Sequence, residues 1–302
     1  MNPDHTILLG FPEYRQQTAN LAEKSGLPWK CIDIHDFPDG ESRLTLPASL
    51  PAHVILCRSL DHPNARLTEL LLAAGGARQG GAATVSLVAP YLCYMRQDKA
   101  FHPGEVVSQK VIGRLLAGAF DNLLTVDAHL HRVRHLQDAV PVRCAINVTA
   151  TDPMAHFIRQ HVVDPFLLGP DAESEQWVRA IAAHDEMDFG VARKQRLGDR
   201  QVKIHLPEAA FFGRNIVLVD DVASTGRTLY ETARALQPHS PASISVLVTH
   251  ALFVGDALAM LQQAGVSNIW SCDAVPHASN VVSLASLLAQ NMETWPAAVA
   301  TL

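Results

Sequence analysis

Residues 215–233, NIVLVDDVASTGRTLYETA, constrain this chain more than any other stretch. Residues 216–219 form a short apolar run rich in β-branched side chains, which reads as a buried strand of a parallel sheet. Asp220 and Asp221 follow, then Ser224, Thr225, Gly226, Arg227 and Thr228, then Leu229, Ala233 and Leu236 at helical spacing. This order places polar groups at the carboxyl end of a strand, the edge where open α/β sheets bind ligands. Free backbone N–H groups and hydroxyls at the start of a helix suit an anion, above all a phosphate. Carboxylates beside them accept hydrogen bonds from sugar hydroxyls or help to hold a metal. A helix that was merely N-capped after a core strand would not need the acidic pair.

The same alternation runs along the chain. Strands are expected at 7–9, 29–34, 43–46, 54–57, 84–88 and 122–126, then at 166–168, 187–192, 216–219, 244–249 and 268–272. Helices are expected at 13–25, 64–77, 106–119, 152–161, 173–184, 256–264 and 281–290. Such alternation predicts an α/β protein with parallel sheets and helices on both faces. Two halves of similar layout follow, residues 1–148 and 149–302. Asp39-Gly40 marks a hairpin turn, and Gly75-Gly76 is expected to loosen the end of its helix. Residues 89–105 form a polar connection of a length that is usually functional or mobile. A basic loop spans 193–200, with a β-ribbon at 203–206.

Several function classes are excluded early. A net charge of −6 offers no general footprint for nucleic acid, so a phosphate site must come from local groups. Five scattered cysteines without C-x-x-C spacing predict free thiols in a reducing compartment. No signal pattern and no membrane-length apolar run occurs, which predicts a cytoplasmic protein with no membrane partner. His129, His131 and His135 fit no standard zinc spacing. Neither a P-loop nor a dinucleotide-binding glycine motif is present.

Polar clusters follow several strands: 94–98 after 84–88, Asp127 and His129 after 122–126, Asp171 after 166–168, and Arg193, Lys194 and Arg196 after 187–192. If the strands are parallel, these clusters gather at carboxyl edges. The 215–233 stretch resembles the phosphoribosyl-binding signature shared by type I phosphoribosyltransferases and ribose-phosphate diphosphokinases. FPDGE (37–41), PYLCYMRQDKAFHPGEVVSQKVIGRLL (90–116), TVDAH (125–129), GPD (169–171) and ARKQR (192–196) are similar, in order, to segments of the diphosphokinases. The resemblance implies two tandem doubly wound domains of phosphoribosyltransferase type I-like fold. It also implies transfer of the diphosphoryl group of Mg-ATP to the 1-hydroxyl of ribose 5-phosphate, in a homodimer or higher homo-oligomer. By the same resemblance, Phe37, Asp39, Glu41, Arg96, Gln97 and Asp98 would hold ATP, the first three reaching it from a neighbouring subunit. His129 and Asp171 would serve Mg²⁺. Asp220 and Asp221 would bind the ribose hydroxyls, and Ser224, Thr225, Gly226, Arg227 and Thr228 the 5-phosphate. Lys194 and Arg196 would stabilise the transferring group.

The chain departs from the family pattern in places. Ala172-Glu173 stands where glycine is usual after the aspartate, and Arg227 stands where the phosphate loop usually has glycine. The aromatic pair expected after the His element is missing from 130–146. These departures leave a non-catalytic regulatory paralogue as an alternative, and the 215–233 motif, shared by both families, leaves a type I phosphoribosyltransferase as another.

Overall fold

The computed structural model describes residues 1–130, 132–196 and 202–295, without the side chains of 195, 196, 202 and 203. By contacts it divides into two compact units, Met1–Val148 with Ala285–Leu302, and Thr149–Leu284. The expected division left everything after 148 in the second half. Instead, the last helix, Ala285–Met292, packs on helix Arg15–Ser25 of the first unit. Leu288, Ala289 and Met292 make it apolar on one face, so it needs a sheet or helix to cover.

Each unit is built on a parallel six-stranded sheet. The first sheet runs Trp29–Cys31, Thr6–Gly10, His53–Cys57, Thr84–Val88, Asn122–Val126, Cys144–Val148. The second runs Asp188–Val191, Pro165–Gly169, Asn215–Ala223, Ser243–Ala251, Asn268–Cys272, Asn280–Val282. The orders match: in each unit the first strand lies between the second and third, and order reverses there. Four strands of the first sheet are buried at every residue, as a sheet covered on both faces requires.

Several expected elements change. Residues 29–34 do not form one strand. Trp29–Cys31 joins the main sheet, while Asp33–Asp36 pairs antiparallel with Ser42–Thr45 as the hairpin expected around Asp39-Gly40. The helix Pro63–Gln79 runs straight through Gly75-Gly76. Strand Cys144–Val148, not anticipated, closes the first sheet. Residues 280–282 form the edge strand of the second sheet rather than the start of a helix. Among the described residues, no helix is long and apolar enough to cross a membrane. All five cysteines are free.

Candidate active site

In the second unit, the strand carrying the acidic pair is longer than expected and ends only at Ala223. Its neighbour Pro165–Gly169 pairs with it only as far as Leu218. The neighbour on the other side, Ser243–Ala251, stays paired out to Ala223. Asp220 and Asp221 therefore lie one step past the point where the first strand turns away at Gly169-Pro170-Asp171. That is the crevice opened by the reversal of strand order, the usual ligand position in such sheets.

The turn out of the first strand is tightly made. A Cβ on Gly169 would lie 2.5 Å from Ser174 Oγ, so only glycine fits. Asp171 accepts a hydrogen bond from the Glu173 N–H at Oδ1 (3.1 Å), and the Ser174 hydroxyl donates to the Asp171 carbonyl (2.6 Å). Burial raises the Asp220 carboxyl well above the ordinary carboxylate range, and the nearby charges of Asp221 and Asp171 raise it further. The Asp221 N–H, donating to Asp220 Oδ1 at 3.0 Å, opposes this only in part. The Asp220 carboxyl thus sits at the crevice under the negative charge of two neighbouring carboxylates. A hydroxyl-rich sugar or a hard cation would relieve their repulsion.

The small-hydroxyl turn follows directly. Gly226 has φ +67°, a left-handed conformation that other side chains rarely adopt. It opens helix Arg227–Leu236 with no side-chain cap, so first-turn N–H groups lack intrahelical partners. Ser224 and Thr228 are half-buried; Thr225 and Arg227 are exposed.

The basic segment forms more regular structure than expected. Arg193–Arg196 is a strand, paired antiparallel with Val202–His205. The rest of the expected loop, 197–200, lies outside the described residues, as does the side chain of Arg196. The hairpin is tied to the same sheet edge at its base, where the Ala192 N–H donates to the Gly169 carbonyl (2.8 Å). Lys194 Nζ donates to Thr228 Oγ1 at 3.4 Å. Lysine, hydroxyl turn and acidic crevice are therefore brought to one edge of one sheet.

The remaining expected residues lie in the first unit. Phe37, Asp39 and Glu41 are exposed at the tip of the hairpin. Asp39 Oδ1 accepts the Glu41 N–H (3.2 Å), and the Phe37 N–H donates to the Glu41 carbonyl (2.8 Å). Arg96 is exposed, but its neighbours are engaged. Gln97 Oε1 accepts the Ser108 hydroxyl (2.5 Å), and Asp98 Oδ1 holds Arg132 (2.6 Å). The Asp98 side chain is only 1% exposed. His129 is half-buried just after Asp127, whose φ of +42° is strained for a non-glycine residue. Sequence reasoning missed the Asp98–Arg132 pair, because a pairing 34 residues apart leaves no periodic trace.

Comparison with known proteins decides the family. Residues 7–119 match the model of the N-terminal domain of ribose phosphate pyrophosphokinase, and residues 150–284 match that of the phosphoribosyl transferase domain. A ribose-phosphate pyrophosphokinase of Methanopyrus kandleri is 32% identical, covering 95% of this chain and 98% of its own. One from Halobacterium salinarum is 31% identical, covering 94% and 99%. The chain belongs to the ribose-phosphate pyrophosphokinase family. A phosphoribosylpyrophosphate synthetase of Mycobacterium smegmatis has the same fold, with a TM-score of 0.80 at 19% identity over 96% of this chain and 98% of its own.

Against that family pattern, the two unusual residues have local explanations. Glu173 is exposed, and its backbone N–H donates to Asp171. Arg227 lies along its own helix, 3.8 Å from Glu231 one turn on.

Proposed function

We propose that the protein transfers the diphosphoryl group of Mg-ATP to the 1-hydroxyl of ribose 5-phosphate, yielding phosphoribosyl diphosphate and AMP. The observation that carries this reading is the Lys194–Thr228 contact beside the carboxylate crevice. It puts a cation next to a turn suited to an anion and an acidic pair suited to hydroxyls. A phosphoribosyltransferase needs the turn and the acids but has no use for a nucleotide hairpin such as 33–45.

In this reading, the Ser224–Thr228 hydroxyls and first-turn amides hold the 5-phosphate. Asp220 and Asp221 accept hydrogen bonds from the ribose 2- and 3-hydroxyls and aim the 1-hydroxyl at the β-phosphorus. Phosphoryl-type transfer asks for alignment and charge neutralisation more than covalent help. Lys194 and Arg196 supply positive charge as it builds on the transferring group. Phe37, Asp39, Glu41, Arg96 and Gln97 hold the nucleotide. Asp98 acts through Arg132.

Magnesium fits the residues present. Among the described residues, no three His, Cys, Asp or Glu side chains converge into a ready-made metal cage. A cation here would keep much of its water, as Mg²⁺ prefers. His129 in the first unit and Asp171 in the second would each serve Mg²⁺, directly or through its water, and the ion would supply charge neutralisation at the triphosphate. The same reading places the protein in the cytoplasm as a homodimer or higher homo-oligomer, with Phe37, Asp39 and Glu41 serving a neighbouring copy. Formation of AMP from ATP and ribose 5-phosphate with Mg²⁺ tests it. Absence of AMP, with retained ribose 5-phosphate binding, would replace it with the regulatory reading.

A further inference from the structure

The expected nucleotide residues Phe37, Asp39 and Glu41 sit on a hairpin that projects from the first sheet, and something must fix its angle. The hairpin lies along one stripe of helix Pro63–Gln79. At one end of the stripe, Gly80 and Gly76 leave room for Leu50 and Leu46. A Cβ on Gly80 would lie 2.9 Å from Leu50 Cδ1, and one on Gly76 would lie 3.6 Å from Leu46 Cδ1. At the other end of the stripe stands Glu69. Its Oε1 is 3.2 Å from the Ser42 hydroxyl, and its Oε2 accepts from Arg58 Nη2 at 2.5 Å. Ser42 and Asp36 are the last paired residues before the 37–41 loop. The Ser42 hydroxyl is also 3.2 Å from Asp36 Oδ1, so its one proton is shared between the loop's base and the helix.

Arg58 makes Glu69 rigid. It is 3% exposed, at the carboxyl end of strand His53–Cys57. Its Nε donates to Glu13 (2.6 Å), its Nη1 to the Arg66 carbonyl (3.0 Å), and its guanidinium lies 4.1 Å from the Phe11 ring centroid. A buried guanidinium held from four sides cannot swing, and a carboxylate bonded to it stays where it is put. We propose that Glu69 and Ser42 are positioning residues: through them the buried Arg58 centre sets the hairpin that presents Phe37, Asp39 and Glu41 to the nucleotide. The proposal rests on the reading above for the ligand's identity, but the tether itself does not.

Ser42→Ala removes the shared donor and leaves the Arg58 pairs intact. In ligand-free protein, amide exchange at Phe37 and Gly40, whose N–H groups bond within the loop, is expected to quicken about tenfold. Leu8 and Ile55 in the central strands should be unmoved. In steady state, KM for ATP should rise about fivefold, with kcat within about twofold and KM for ribose 5-phosphate unchanged. Ser42→Thr, which keeps the hydroxyl, should restore both readouts. Unchanged hairpin exchange overturns the tether. Faster exchange with an unchanged KM for ATP overturns its role in nucleotide positioning. A wild-type protein that makes no AMP, yet shows faster hairpin exchange in the alanine variant, overturns the function while supporting the tether.

Discussion

The two units reverse strand order at the same place and fill that place oppositely. In the first, Glu13 follows the first strand and Arg58 follows the third, and the two meet across the reversal at 2.6 Å. In the second, Asp171 follows the first strand and Asp220 stands on the third just past its pairing with the first, where the charge of Asp171 helps to raise the Asp220 carboxyl. One crevice is closed by its own ion pair. The other is left with excess negative charge that only a ligand's hydroxyls or a cation can offset. An identical topology thus yields a structural joint in one unit and a candidate ligand site in the other. The choice turns on the charge of a residue at the end of the third strand.

This contrast can be broken by experiment, beginning with the joint. Arg58→Met leaves Glu13 and Glu69 facing each other in a partly buried setting, and should cost about 3–5 kcal/mol. Urea unfolding measures it; a loss under about 1 kcal/mol would show that the first crevice is not held by this centre. On the other side, Lys194→Ala should lower turnover about 10²–10³-fold, with ribose 5-phosphate affinity nearly intact. Unchanged turnover would remove the lysine from the chemistry.

Two smaller effects have opposite signs in pH. In the first unit, burial pushes His53 down to about 4, while its Nε2 pairs with Ser86 Oγ at 2.8 Å. The folded ring is neutral where the unfolded one would charge. Its contribution is therefore present above about pH 6.5 and is lost as pH falls toward 4, roughly 3 kcal/mol in all. His53→Gln should flatten that acid slope, and an unaltered slope would assign it to other groups. In the second unit, the raised Asp220 carboxyl works the other way. Its contribution is present below the ordinary carboxylate pKa and is lost as pH rises toward the folded value. Metal-free Asp220→Asn protein should therefore be more stable than wild type at pH 8, by about 1–2 kcal/mol, while binding ribose 5-phosphate more weakly. A variant less stable than wild type at that pH would contradict the like-charge crevice.

How much of this was legible in advance follows from the range of the interactions. The strand–turn–helix at 215–233 could be read because each part is local: β-branched residues favour a strand, and glycine suits the left-handed start of a helix. Periodicity alone likewise announced parallel sheets in two matching halves. Boundaries were less visible. Asp220 and Asp221 read as the residues that follow the strand, because charge seldom continues a buried one. They lie within it because Ser243–Ala251 is long enough to keep them paired. Gly75-Gly76 read as a weak helix end, whereas Gly76 faces Leu46, which is 30 residues away in sequence.

The amino-acid order by itself determined which elements form and which polar groups end each strand, since propensity, turn chemistry and hydrophobic period act over a few residues. Only the tertiary structure decided which of those groups meet. Strand order put Asp171 beside Asp220 and Lys194 beside Thr228. It also gave Arg58 the two carboxylates that keep the first crevice closed. Charges separated by tens of residues acquire an interaction energy only when the sheet brings them within a few ångströms in a setting that water cannot screen.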